Sequence, residues 1–213
     1  MKKLAITLAA LLSFNAAHAA EVYRLDNSSV AFVGEVADGD ADKVREVAKK
    51  GDTMYFHSPG GLAVEGFMIG QVLSDLEIKT SVTEGNTCLS ACAFAFLGGT
   101  EYTVTGILGF HEVWSNQDGA NPDEQLDVGQ EIGVYFTNYI LANGFNISLA
   151  TIIGAYTNPE LFYTFRSTEE LMAFYVRSEA DRIEDYLKPL NVPVQEALMS
   201  GTQIMLYVIG ARK

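Results

Sequence analysis

The sequence predicts an α/β fold with a mostly parallel sheet flanked by helices. Strand-like and helix-like runs alternate from residue 30 onward, which is the pattern of repeated strand-helix-strand units. Hydrophobic residues make up 48% of the 213-residue chain, too many for a disordered segment and enough for one sizeable core. Glycine pairs punctuate the runs at Gly60-Gly61 and Gly98-Gly99, where a chain leaving an element has to turn.

Val30 to Val36 is a β-rich run, and Asp40 to Lys50 reads as a short helix with Ala41, Val44, Val47 and Ala48 on one face. Thr53 to His57 is the next strand and ends in Ser58-Pro59-Gly60-Gly61. Val64 to Leu76 forms a helix with Val64, Phe67, Met68, Val72 and Leu76 expected inward. Ile78 to Val82 is a third strand. Ser90 to Leu97 is a short buried helix stopped by Gly98-Gly99. Tyr102 to Val104 and Ile107 to Phe110 are further strand, followed by a polar loop, Trp114 to Asp123, and a long helix from about Pro122 to Asn143. The apolar surface of that helix is expected to pack against the sheet. Ile147 to Ala155 is apolar, Ser167-Thr168-Glu169-Glu170 has the form of a helix N-terminus, and Ser178 to Leu187 is a polar helix. The tail from Val194 to Ile209 reads equally as helix throughout or as helix followed by strand.

The first residues address the chain to another compartment. Lys2 and Lys3 precede an apolar run from Leu4 to Phe14 and then Ala17-His18-Ala19, the form of a signal peptide cleaved after Ala19. Residues 1-19 are therefore read as the signal and 20-213 as a single α/β domain, periplasmic or secreted from a bacterium. Taking Lys2 and Lys3 from the 14 basic side chains leaves 12 against 27 acidic ones, a formal charge of −15. Such a surface repels phosphate backbones and anionic lipid heads, so neither nucleic acid nor a membrane is expected as a partner.

A serine carries the chemistry. Ser90 lies in Thr87-Cys88-Leu89-Ser90-Ala91-Cys92, between a strand and an apolar helix, where free N–H groups favour developing negative charge. Gly60 and Gly61 follow a strand and a proline, and glycines there let backbone N–H groups face a ligand, as an oxyanion hole requires. The Ala91 N–H is a second donor. His111 ends another strand, which in a parallel sheet brings its imidazole to the same edge as Ser90. A serine needs such a base to be nucleophilic near neutral pH. The alternative readings are a plain turn for Ser-Pro-Gly-Gly, a helix cap for Ser90 and a surface histidine for His111. No cofactor is expected, and two cysteines with His57 and His111 give no familiar zinc spacing.

In that order, His57-Ser58-Pro59-Gly60-Gly61, Cys88-Leu89-Ser90-Ala91-Cys92-Ala93 and Gly106-Ile107-Leu108-Gly109-Phe110-His111 resemble the Clp protease and crotonase superfamily, especially its periplasmic or secreted Clp-protease-like members. The likeness covers roughly residues 30 to 177. It implies a Clp protease/crotonase-like ββα superhelix and a serine peptidase acting on peptides or unfolded protein. Outside the cytoplasm such a peptidase works without ATP, and because the region of the long helix helps assemble rings or trimers in that family, the resemblance also implies a homo-oligomer. Phe165 to Leu171 looks like the segment that follows the acidic triad member in that family, but the aspartate expected there falls on Leu161. Glu160 is the candidate acid and Asn158 a weaker one. The departure at Leu161 leaves a second reading open, a catalytically inactive binding or assembly protein. Crotonase-type thioester chemistry ranks last, because coenzyme A is not expected outside the cytoplasm. Cys88 and Cys92 bracket the serine, either as a disulfide, if a strand-to-helix bend brings their Cα atoms close enough, or as two small buried side chains.

Overall fold

The computed structural model describes residues 19–112, 133–155 and 161–175. These form a mixed α/β domain with two sheets. The first takes β1 (Glu21–Arg24), β2 (Ser29–Val33), β3 (Thr53–His57), β4 (Lys79–Val82) and β6 (Tyr102–Val104) in the order β1-β2-β3-β4-β6. Only β1 runs antiparallel; the other pairs are parallel. The second sheet holds β5 (Thr87–Leu89), β7 (Ile107–Phe110) and β8 (Tyr163–Phe165), with β5 and β7 parallel and β8 antiparallel to β7.

Parallel neighbours require crossovers, and the helices supply them. α1 (Asp40–Val47) joins β2 to β3 and α2 (Ala63–Asp75) joins β3 to β4. Helix α3 (Ala91–Leu97) joins β5 to β6. A further helix, α4, covers 133–142, followed by α5 (Ile147–Gly154) and α6 (Thr168–Met172). The sequence places β3, α3, β6 and β7 within a residue of their positions. It misses β1, β5 and β8, each of three or four residues. The expected loop 114–123, the first half of the long helix and everything beyond 175 lie outside the described residues.

Local chemistry explains several element ends. The first N–H groups of a helix have no partner within it, and at α1 one is met from another helix, because Glu65 Oε1 accepts from Ala41 N at 2.7 Å. That bond accounts for a buried carboxylate in α2. Asp40 accepts from Ala37 N at 2.8 Å and pairs with Lys43 at 2.7 Å. At α6 the anticipated start is a reciprocal cap: Ser167 Oγ accepts from Glu170 N at 3.2 Å, and Glu170 Oε2 accepts from Arg166 N at 2.7 Å. Asn146 caps α5 by accepting from Ser148 N at 3.0 Å.

The core runs from sheet to helices through aromatic rings. Phe32 meets Phe56 at a centroid distance of 5.6 Å, and Phe56 meets Phe96 of α3 at 6.2 Å. Phe94, on the same helix, stacks on Phe67 of α2 at 5.1 Å and meets Phe136 of α4 at 5.1 Å. All seven residues of α3 are buried, as its sequence implies. The apolar face of α4 is therefore used within the chain, with Phe136, Tyr139 and Ile140 in the core.

One expectation about α2 is corrected. Val64 and Met68 face outward, 41% and 40% exposed, while Gly66 and Gly70 are buried. The reason is close helix packing. A Cβ on Gly66 would strike the Ala91 carbonyl, and one on Gly98 would strike Gly70, so α2 and α3 touch backbone to backbone. A contact made by glycines carries no hydrophobic signal, and periodicity then assigns the wrong stripe.

Candidate functional site

Strand β5 is short but decides where the serine sits. Its register against β7 pairs Cys88 with Leu108 and Leu89 with Gly109, and Ser90 N donates to Gly109 O at 2.8 Å. Ser90 then turns the chain into α3 with φ 54° and ψ −123°. Among the described residues only Glu77 shares a positive φ without being glycine. This conformation is disfavoured for a residue with a Cβ, by about 1–3 kcal/mol, and persists only where its surroundings determine it. The Ser90 carbonyl accepts from Ala93 N at 2.9 Å and Phe94 N at 3.3 Å, which starts the helix.

The helix-cap reading of Ser90 does not hold. Its side chain makes no capping hydrogen bond, and the residue is partly exposed. A serine on a strained strand-to-helix turn, with no hydrogen-bond partner for its hydroxyl among the described residues, is the arrangement of a nucleophile elbow.

The turn Ser58-Pro59-Gly60-Gly61 lies against this elbow. Ser58 bridges Cys88 as if β3 continued into the second sheet, with Ser58 N donating to Thr87 O at 2.8 Å and Leu89 N to Ser58 O at 3.1 Å. A Cβ on Gly60 would lie 2.6 Å from Ser90 Cβ, 2.6 Å from Leu89 O and 3.2 Å from Ala91 N. Only a glycine fits at that approach, and its φ of +99° also favours one. Gly61 is bridged to Val36, through Val36 N to Gly60 O at 2.7 Å and Leu62 N to Val36 O at 2.9 Å.

The three oxyanion candidates then separate. Gly60 N donates to the buried Ser58 Oγ at 3.1 Å, so its part is to admit the close approach rather than to donate to a ligand. Gly61 N and Ala91 N have no backbone partner among the described residues. Ser58 is thus a supporting residue that the sequence offered only as part of a turn.

His111 directly follows β7, one residue past the position level with Ser90. Its Nδ1 lies 2.6 Å from the Glu112 carbonyl oxygen. A carbonyl only accepts, so Nδ1 carries the proton in this contact and Nε2 is left as the acceptor, the tautomer a general base needs. The imidazole also meets the Phe162 ring edge-on at 5.0 Å. Phe162 fills the space beside Gly109, where a Cβ would come within 3.3 Å of it. Neither Phe162 nor the Glu112 main chain was anticipated; the adjacency of β8 to β7 creates the first, and no residue type marks the second. The structure brings Ser90 and His111 to the ends of paired strands, with no direct hydrogen bond between them. Catalytic contacts are often long in the unliganded state and tighten with substrate. Glu160 and Asn158 lie outside the described residues.

Cys88 and Cys92 form a disulfide across the elbow, with Cα atoms 5.2 Å apart. Of the two readings open in the sequence, the bond is the one realised. Cys88 sits in β5 and only Cys92 in the helix, so the unfavourable spacing along a regular helix does not arise.

Among the described residues no cluster of three metal-ligating side chains occurs, and no helix is long and apolar enough to cross a membrane. The sequence matches no protein-family model and no curated protein.

Proposed function

We propose that the chain is an exported serine hydrolase, most closely an ATP-independent peptidase with a Clp protease/crotonase-like fold, acting on peptides or unfolded protein. The observation that carries this reading is the strained backbone of Ser90 between β5 and α3, with its hydroxyl free of capping duty. Ser90 Oγ attacks the acyl carbon and passes its proton to Nε2 of His111. The Gly61 and Ala91 N–H groups receive the charge that develops on the acyl oxygen. His111 returns the proton to the leaving group, and water repeats the sequence to free Ser90. The peptidase assignment, rather than another acyl hydrolysis, comes from the sequence resemblance. Export rests on Lys2, Lys3 and the Ala17-His18-Ala19 site, and the Cys88–Cys92 disulfide accords with an oxidising compartment.

A fluorophosphonate probe tests the proposal. The purified protein is expected to be labelled, to lose the label in Ser90→Ala and to react more slowly in His111→Ala with the fold intact. Label that survives Ser90→Ala, or its absence from the wild type, removes the hydrolase reading.

A second reading has one observation behind it. The group on His111 Nδ1 is a neutral carbonyl, which fixes the tautomer but stabilises an imidazolium less than a carboxylate does. An inactive binding protein of the same fold would show peptide binding with no label in the same experiment.

A further inference from the structure

Ser90 stands at the midpoint of the Cys88–Cys92 disulfide, two residues from each sulfur-bearing position. We infer that this bond sets the backbone of Ser90, so that the chain gains its reactive serine only through oxidative folding and holds it thereafter against reductant. The inference rests on the reading of Ser90 as the nucleophile.

The geometry excludes the two relaxed courses the segment could otherwise take. If β5 simply continued, the Cα atoms of residues 88 and 92 would be roughly 13 Å apart. They are 5.2 Å apart. If α3 instead extended backward through Ser90, as its Ala-Cys-Ala-Phe-Ala-Phe-Leu sequence would readily allow, both cysteines would lie on regular helix, where the side chains meet poorly for a disulfide. The bond closes when Cys88 stays in the strand, Cys92 stays in the helix and the chain turns sharply between them. Ser90, at φ 54°, is where it turns. The Ser90 carbonyl's bonds to Ala93 N and Phe94 N are those of a helix start and survive either course, so the other restraints on the elbow are the Ser90 N–H bond to Gly109 O and the close approach of Gly60, both of which a relaxed segment can give up. The covalent bond is the restraint that cannot be exchanged.

Both cysteines are fully buried, at 0% exposure. The disulfide therefore forms before the core closes. The Cys88 and Cys92 thiols give up two protons and two electrons by exchange with a disulfide oxidant, which departs as its dithiol. Once α3 is packed, a thiol reductant has no path to the sulfurs. The pair thus acts as a latch set once during folding: the chain lacks an active elbow in a reducing compartment and keeps one after export.

The test uses protein purified from an oxidising compartment in three forms: native with reductant added, denatured and refolded in reductant, and Cys88→Ala/Cys92→Ala. Fluorophosphonate labelling reports the hydroxyl. Amide exchange at Ser90, whose N–H donates to Gly109 O at 2.8 Å, reports the elbow independently of activity. Native protein is expected to keep both signals in reductant. The other two forms are expected to label at least about ten-fold more slowly and to exchange at the Ser90 amide at least about ten-fold faster, with β3 amides unchanged. Reduced protein that labels and exchanges like the native form overturns the inference and leaves the hydrolase reading standing. If no form labels, the hydrolase reading falls and the exchange rates alone judge the elbow. Should the double variant fail to fold, the reduced wild type decides. General loss of protection in the reduced wild type would make the bond a support of the whole fold, and the elbow role would be refuted.

Discussion

Gly60→Ala probes the contact on which the candidate site is built. The new Cβ would stand 2.6 Å from Ser90 Cβ and 2.6 Å from Leu89 O, far inside the ~3.5–4.0 Å at which carbon atoms rest against each other. Neither neighbour is the loose end of a side chain, so the backbone of the turn or of the elbow has to move. Two penalties add. A Cβ at φ +99° is strained by about 1–2 kcal/mol, and overpacking a close contact adds about 1–3 kcal/mol. Alanine regains about 0.4–1 kcal/mol by restricting the unfolded chain. Gly51 supplies the control, because its φ is +81° and a Cβ there meets nothing within 4 Å. Gly51→Ala therefore carries only the backbone terms, a net loss of roughly 0–1.5 kcal/mol. The difference between the two variants isolates the elbow contact at about 1–3 kcal/mol. Urea unfolding of both measures it, and the same samples give the fluorophosphonate labelling rate. Gly60→Ala should be the less stable and should label more slowly, while Gly51→Ala labels like wild type. Equal stability losses in the two variants would show that Gly60 does not abut Ser90, and the argument for the site would lose its footing.

The α2–α4 contact yields a coupled pair: Tyr139 Oη donates to Phe94 O at 2.7 Å and lies where a Gly70 Cβ would project, so Gly70→Ala should be markedly less harmful in a Tyr139→Phe background. A double-mutant cycle in urea should give a coupling of about 1 kcal/mol or more, and strict additivity would contradict the contact. Ser167→Ala removes the cap of α6 and should lower stability by about 0.5–2 kcal/mol, whereas Ser167→Asp should preserve it. Asp52 is held below its ordinary value of 3.8 chiefly by the Arg24 guanidinium, 2.7 Å away, and also by the Lys49 N–H. Because the folded-state value is the lower one, this stabilisation is complete above about pH 4 and fades as pH falls through the folded-state value. Wild type and Asp52→Asn should therefore differ in urea midpoint at neutral pH and converge in acid; a constant gap would exclude the linkage.

Elements with a self-contained signal were legible in the sequence. β3 is an apolar-alternating pentapeptide between a turn and Ser-Pro-Gly-Gly, and α3 is an unbroken buried run that ends at Gly98-Gly99. β5 and β8 are three residues long and exist through their pairing with β7, so no local pattern announces them. β1 alternates exposed and half-buried residues at the antiparallel edge of the sheet, where a strand needs little hydrophobic content. The outward turn of Val64 and Met68 has the complementary cause: the buried stripe of α2 passes through two glycines.

The site divides along the same physical line. Ser90, His111 and the glycines are visible because chemistry demands those residue types in that order. Their arrangement depends on main-chain groups that any residue could supply: the Gly109 carbonyl that holds Ser90, the Val36 main chain that bridges Gly61, and the Glu112 carbonyl that orients His111. Backbone partners carry no side-chain signature, so a sequence shows the candidate reactive groups and hides what positions them. The disulfide is the informative exception. A positioning device made from cysteines is visible in the sequence as Cys88 and Cys92, yet its geometry is settled only by the unforeseen strand β5, which takes Cys88 off the helix. The same three-residue strand therefore decides the register of Ser90 against β7, the approach of Gly60 and the closure of the bond. A change confined to β5 pairing, such as Ile107→Pro, which removes the N–H that Ile107 donates to Asn86 O at 3.0 Å at the entry to β5, should disturb all three together.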